Sequence, residues 1–154
     1  MIAIRAMTVD DVDAVTSLEA RTPEAPHWDR MAYERFLAPG TSNMRSAAWV
    51  ADDGLEPVGF AMAGLVVDVC ELESIVVAED FRGRGIGGAL LKTALGWAAA
   101  QRVRKMELEV RAGNETAIRF YERAGMVREG VRRGYYRDPD EDALLMGKSV
   151  YSGD

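Results

Sequence analysis

The segment Ser74-Ile-Val-Val-Ala-Glu-Asp-Phe-Arg-Gly-Arg-Gly-Ile-Gly-Gly88 passes from strand-forming residues into a loop with Gly83, Gly85, Gly87 and Gly88. A helical apolar pattern opens directly out of that loop. Glycines let a backbone approach a ligand closely, and the first amides of a helix have no acceptors within the helix. With the positive end of the helix dipole added, this makes a site for a pyrophosphate. The bland alternative is a glycine-rich turn with no ligand. Gly83-x-Gly85-x-x-Gly88 also satisfies the dinucleotide-binding fingerprint, with Glu107 about 20 residues downstream for a ribose contact. Three features oppose that reading. Ala78 to Arg82 separate the strand from the first glycine, an antiparallel hairpin precedes the motif, and the chain after Gly88 is short for the remaining strands and helices. No Gly-Lys-Ser/Thr follows, so this is not a P-loop.

A second set of reactive side chains lies further on. Asn114, Ala117 or Ile118, and Tyr121 recur at helical spacing and share one face, which can present an amide and a phenol to one elongated ligand. In Lys105 to Arg111, Met106, Leu108 and Val110 point one way while Glu107, Glu109 and Arg111 point the other. Parity alone describes that second set as a solvated charged face. Cys70, the only cysteine, sits in an apolar stretch and reads as a small buried hydrophobe. His27 is the only histidine, so His-cluster metal sites and Ser-His schemes have little support; Pro26-His27-Trp28 reads as the start of a helix.

These groups need a scaffold, and the pattern supplies one. Ile2 to Arg5 reads as a strand, and Thr8 with Asp10 and Asp11 opens a helix that runs to about Arg21. A second helix follows Trp28, with Met31, Phe36 and Leu37 as expected buried positions. Pro39 to Ser46 reads as a loop. Strands follow at Ala47 to Ala51, Pro57 to Val67 and Val69 to Val77, the first two joined by a hairpin turn at Asp52-Asp53-Gly54. A long helix runs from near Gly85 to about Gln101, with Ile86, Leu90, Ala94, Trp97 and Ala98 on its apolar face. Then come a strand at Lys105 to Arg111 and a helix at Asn114 to Ala124, N-capped by Asn114 and stopped by Gly125. Two last strands span Val127 to Tyr136 and Ala143 to Val150. The order β-α-α-β-β-β-α-β-α-β-β predicts an α+β fold with a mixed sheet flanked by helices.

The chain has 154 residues, 48% hydrophobic and 29% charged, which suits one domain spanning 1–154. No apolar run reaches the roughly 18 residues of a membrane span. The amino terminus turns acidic before a signal-peptide core forms, so the expected location is the cytoplasm. A formal net charge of −6 argues against nucleic acid as a partner and mildly favours a cationic substrate.

Arg82-Gly-Arg-Gly85-Ile-Gly87 matches the pattern Arg/Gln-x-x-Gly-x-Gly/Ala, five residues after a strand-ending valine. Asn114-Glu-Thr-Ala-Ile-Arg-Phe-Tyr121-Glu-Arg-Ala-Gly125-Met126 matches N-x-x-A-x-x-x-Y-x-x-x-G-F. On these segments, in this order, the chain resembles the GNAT family of acetyl-CoA-dependent N-acetyltransferases over essentially its whole length. Leu108 to Asn114, Arg132-Arg-Gly-Tyr-Tyr136, Glu141 to Met146 and Pro26-His-Trp28 are similar to the branch that acetylates a ribosomal-protein N-terminal alanine. Met126 replaces the usual phenylalanine, Gly134 an asparagine and Arg137 a proline; the last two fall near where the acceptor should bind.

The resemblance implies a GNAT-like sheet whose strands at Ser74–Val77 and Lys105–Arg111 splay apart around the arm of acetyl-CoA, a co-substrate used without a metal. It assigns Arg82, Gly83, Arg84, Gly85, Ile86, Gly87, Gly88 and Asn114 to the cofactor, and Ile75, Val76 and Val77 to its pantetheine and thioester. Tyr121 becomes the general acid for the departing thiolate; a phenol of pKa about 10 can donate to a thiolate of about 8.5 without large tuning. Glu109 becomes the general base, with Glu71 and then Glu73 as alternatives. An α-amine, with pKa about 7.7–8.0, is already partly neutral near pH 7.5, whereas a lysine is not. One modest carboxylate therefore suits the N-terminal α-amine of a protein or peptide. A small amine is the second reading, a noncatalytic CoA-sensing module the third. A monomer or homodimer is expected.

Overall fold

The computed structural model describes residues 1–22, 28–38 and 45–150. Pro26 and His27, and the expected loop up to residue 44, lie outside the described residues. The elements are β1 (Ala3–Ala6), α1 (Val12–Ala20), α2 (Arg30–Leu37), β2 (Ser46–Asp52), β3 (Pro57–Val66), β4 (Val69–Val77), α3 (Ile86–Ala100), β5 (Lys105–Arg111), α4 (Glu115–Arg123), β6 (Val127–Tyr136) and β7 (Glu141–Ser149). Their order is the expected one. A single 3-10 turn, Val9–Asp11, precedes α1, because the Asp11 carboxylate accepts from the Thr8 backbone and hydroxyl and pairs with Arg5.

The strands form one seven-stranded sheet in the order β1-β2-β3-β4-β5-β7-β6. Every neighbour is antiparallel except β4 and β5, which run parallel with α3 as their crossover. Helices α1 and α2 cover one face of the β2–β4 half through Val12, Val15, Leu18 and Tyr33, packed on Val50, Phe60, Met62 and Val76. Helices α3 and α4 cover the other face, with Leu91, Ala94, Ala98 and Ile118 packed on Leu72, Met106, Leu108, Leu144 and Met146. Trp97 of α3 meets Trp49 of β2 edge to face at 5.8 Å.

Helix α2 departs from the expectation. Met31 is 64% exposed, and the residue buried in its place is Tyr33, at 0%. The phenol of Tyr33 donates to Glu19 Oε2 at 2.7 Å, and its ring packs beside Trp28 and Phe36. The periodicity of so short a helix leaves the buried face open; the hydrogen bond to a carboxylate on α1 selects it. Asp29 caps this helix, accepting from the Ala32 amide at 2.8 Å. The last strand also begins earlier than expected, at Glu141 rather than Ala143.

The feature that shapes the site is a bulge in β4. Met62 pairs with Ser74 but Ala63 pairs with Leu72, so Glu73 has no partner on β3. The extra residue inverts the alternation of the strand. Before it, Cys70 and Leu72 face α3; after it, Ile75 and Val77 do, and Val76 turns to the α1–α2 side. The β4–β5 ladder is confined to Val69, Cys70 and Glu71 opposite Lys105, Met106 and Glu107. Beyond these pairs the strands separate, β4 staying with β3 and β5 with β7. The parting implied by the family resemblance thus begins only after Glu71 and Glu107.

Gly59 of β3 holds α3 close to this region. A Cβ there would lie 3.0 Å from the Val76 carbonyl and 3.4 Å from a Leu90 methyl. Gly59→Val should destabilise the fold by about 1–3 kcal/mol through overpacking, read as a lower midpoint in urea with an unchanged slope.

Candidate active site

The glycine loop leaves the end of β4 through a short 3-10 turn, Glu79–Phe81. Arg82 Nε donates back to the Val77 carbonyl at 3.1 Å, and Arg84 donates to the Asp80 carbonyl while lying over the Phe81 ring. Both arginines therefore brace the loop. Gly83 and Gly85 adopt φ of 77° and 82°, left-handed values that other residues resist. Gly85 is the N-cap of α3, and Ile86 is its first helical residue. A Cβ added at Gly83, Gly85 or Gly88 would meet nothing within 4 Å, so open space lies over the first turn of α3. Gly87 differs, because a Cβ there would press on the Phe120 ring of α4 at 3.4 Å. It serves the packing of two helices rather than an approach from solvent.

The gap between residues 74–77 and residues 108–111 opens after Glu71 and Glu107 and runs up to this loop. Alternation along β4 turns the peptide groups of Ile75 and Val77 toward β5 and those of Val76 toward β3; on the β5 side none has a ladder partner, and the Val77 carbonyl accepts from Arg82 instead. Unpaired peptide groups beside a helix N-terminus suit an elongated ligand that combines a pyrophosphate with amide groups in its arm. The residues present therefore fit acetyl-CoA.

Tyr121 approaches this gap from the α3–α4 face, half-buried and 5.1 Å from the Phe120 ring. Burial pushes its phenol up to about 12, with a smaller contribution from Tyr136. The phenol is thus a weaker acid than its ordinary value near 10 suggests. Asn114 caps α4, its Oδ1 accepting from the Ala117 amide at 3.2 Å, so that oxygen is committed to the helix.

Glu109 sits on the opposite face. Its alternation partners Met106, Leu108 and Val110 are buried under α3 and α4, so Glu107, Glu109 and Arg111 point to the side that no helix covers at β5. Glu71, paired with Glu107, shares that side and is exposed. Glu109 is not an ordinary solvated carboxylate. Arg132 of β6 reaches it at 3.4 Å, and Tyr135 hydrogen-bonds to it, which raises the Tyr135 phenol. Glu73, at the bulge, has its pKa raised by desolvation first and then by the charges of Glu71 and Glu109. Tyr136 is pushed up to about 12 by burial and by Glu109. Glu109, Glu73, Tyr135 and Tyr136 therefore act on one another, and Tyr136 acts on Tyr121 as well. Arg132 and Arg111 escaped the sequence reading; nothing in their spacing distinguishes them from surface cations.

The acidic stretch from Asp138 to Asp142 is largely engaged within the protein. Glu141 accepts from the Gly113 amide and pairs with Arg111, Asp142 accepts from the Gly134 amide, and Asp140 pairs with Arg137. No group of His, Cys, Asp or Glu suited to a metal occurs among the described residues, and no described helix is long and apolar enough to cross a membrane.

Comparison with known proteins fits this geometry. A family model described as Acetyltransferase (GNAT) family matches residues 12–126. The chain belongs to the GNAT acetyltransferase family. The [ribosomal protein bS18]-alanine N-acetyltransferase of Salmonella typhimurium is 32% identical over 157 residues, covering 97% of this chain and 99% of that protein. A Bacillus subtilis protein provisionally given the same name is 29% identical over 148 residues, covering 96% and 95%. The crystal structure of the ribosomal-protein-S18-alanine N-acetyltransferase from Escherichia coli matches with a TM-score of 0.87 at 28% identity, covering 100% of this chain and 97% of that one. This GNAT protein is an acetyl-CoA-dependent N-acetyltransferase, with acetyl-CoA as co-substrate.

In the GNAT site, Glu73 carries an electrostatic penalty that titrates. Its pKa is raised on folding, so its ionised form is disfavoured in the native state. The penalty is absent below the ordinary carboxylate range and appears as the pH rises through the raised value. Glu73→Gln should therefore raise the melting temperature at pH 7.5, with the gain shrinking as the pH falls toward 5. Melts across that range measure it; a destabilised variant at pH 7.5 contradicts the account.

Proposed function

We propose that this acetyltransferase acetylates the α-amine of a protein or peptide N-terminus, with Glu109 taking the amine proton and Tyr121 donating to the departing thiolate. One observation carries the reading. Glu109 lies just past the last pair of the β4–β5 ladder, and on the other face of β5 Tyr121 packs against the same core cluster as Ile75 of β4. Bound acetyl-CoA supplies an activated acyl group as a thioester. Under this proposal the amides of residues 84–88 hold its pyrophosphate, Arg82 and Asn114 keep the flanking backbone in place, and the backbone of residues 75–77 orients the acyl carbonyl. The acceptor amine then comes from the uncovered face, beside Glu109, Tyr135 and Tyr136.

The choice of an α-amine rests on chemistry and likeness together. The amine must be neutral to attack, and an α-amine of pKa about 7.7–8.0 requires little of its base. The full-length likeness to enzymes named for the N-terminal alanine of a ribosomal protein supports the same acceptor class. A small amine remains the second reading, favoured by the acidic face of Glu71, Glu73, Glu107 and Glu109. Cytoplasmic residence, with neither nucleic acid nor membrane as a partner, belongs to the same proposal.

Tyr121 is assigned a narrower task than a freely titrating acid. With its phenol near 12 it stays protonated throughout the neutral range, and complete transfer to a thiolate of about 8.5 is uphill. Its contribution is a hydrogen bond to sulfur that strengthens as charge develops there.

The acceptor is tested by thiol release from acetyl-CoA with peptides beginning with alanine or serine, a blocked peptide carrying one lysine, and small amines. Activity on the free N-termini alone is expected; activity confined to the lysine peptide or to small amines defeats the assignment. Tyr121→Phe should lower kcat by about 100-fold, the low end for a proton donor, while leaving acetyl-CoA affinity nearly unchanged. Glu109→Gln should lower kcat/KM chiefly below pH 8, where the amine still carries its proton, and recover partly above it. Glu71→Gln is the matched control. A larger loss there than at Glu109 moves the base to β4.

A further inference from the structure

We propose that Arg111 is a positioning residue for the acceptor: its guanidinium locks the β6–β7 tip and the Tyr136 ring against the end of β5, and so sets acceptor affinity without acting on acetyl-CoA. The proposal deepens the reading of Glu109, Tyr135 and Tyr136 as the acceptor side of the site and rests on it.

The tip needs an anchor because its ladder lapses. Arg132 pairs with Ala143 and Tyr136 with Glu141, so Arg133, Gly134 and Tyr135 stand opposite Asp142 alone. Regular pairing cannot hold the stretch that presents both tyrosines. Side chains take over. Asp142 Oδ1 accepts from the Gly134 amide at 2.8 Å, and Glu141 Oε2 accepts from the Gly113 amide at 2.6 Å.

Arg111 is where these ties meet. Its Nη2 donates to the Arg137 carbonyl at 3.0 Å and its Nη1 to the Pro139 carbonyl at 2.9 Å. These carbonyls flank Asp138, whose φ of 51° lies in the left-handed region that L-residues resist. The same Nη1 reaches Glu141 Oε1 at 3.3 Å, and Cζ lies 4.5 Å from the Tyr136 ring centroid. One planar group thus holds the turn on both sides of its strained residue and supports the ring. Arg111 follows Glu109 by two positions on the same face, so the group that fixes the tip is rigidly connected to the proposed base. A lysine in its place keeps the charge but cannot span both carbonyls.

The test is steady-state kinetics on Arg111→Met, Arg111→Lys and Tyr136→Ala, with acetyl-CoA affinity measured by calorimetry. The acceptor is whichever amine the unaltered enzyme turns over. Arg111→Met should raise the acceptor KM by about tenfold or more, with kcat within about threefold and acetyl-CoA affinity within about twofold. Arg111→Lys should fall between it and the unaltered enzyme. Tyr136→Ala, which leaves the carbonyl bonds in place, should show the same split. Hydrogen exchange should report lost protection at residues 113 and 134–142 in Arg111→Met. An acceptor KM unchanged despite that lost protection overturns the proposal, as does an equal fall in kcat and acetyl-CoA affinity. If Arg111→Met fails to bind acetyl-CoA because it does not fold, the lysine and Tyr136 variants decide by the same criterion. An unaltered enzyme that uses only small amines overturns the N-terminal reading alone, since the KM split is then measured with that amine.

Discussion

Glu73 adds a residue to β4 that β3 does not pair, and shortly before it β4 loses its ladder to β5. A parallel sheet is stable when both neighbours satisfy its backbone and helices cover its faces. Past Glu71 and Glu107, β4 keeps only β3 and β5 keeps only β7, so the strand edges that face the gap have no ladder partner. The bulge also exchanges the two faces of the strand, turning Ile75 and Val77 toward α3 and Val76 toward α1. One inserted residue thereby opens a gap through the sheet and repacks what borders it.

The gap separates two electrical environments. On the α3–α4 side, the apolar packing around Phe120 drives the Tyr121 phenol up and keeps it protonated. On the other side, Glu71, Glu107 and Glu109 lie where no helix covers β5, and the carboxyl of Glu73 is raised by its burial first and then by the charges of Glu71 and Glu109. The sheet thus keeps the Tyr121 phenol and the Glu109 carboxylate on different sides. The acceptor side is then finished by β6, whose irregular pairing with β7 brings Tyr135 to Glu109 and leaves Tyr136 resting on Arg111.

Much of this was legible in the chain. The glycine loop, the N-cap at Asn114 and the left-handed stop at Gly125 are local devices, decided by a few consecutive residues and the conformations they tolerate. Element order and the apolar faces of α3 and β5 follow from periodicity, which survives any tertiary arrangement. Met31 shows the limit. Helix α2 spans little more than two turns, so its pattern admits more than one buried face, and the Tyr33–Glu19 hydrogen bond is a contact between helices that spacing does not encode.

What the sequence determined by itself is the set of elements, the glycine-rich start of α3 and the family to which they belong, because each is written in short-range spacing. The tertiary structure decided which charges meet. The acidic stretch from Asp138 to Asp142 at the start of β7 reads by composition as free surface charge, yet Glu141 and Asp142 are committed to backbone amides brought near by folding. Arg132 and Arg111 look like surface cations, yet one contacts Glu109 and the other holds the β6–β7 tip. The bulge at Glu73 is a mismatch between two strands, and no single strand carries the information that its partner is one residue short. Register and long-range charge pairing depend on distances between segments far apart in the chain, and those distances exist only once the sheet has formed.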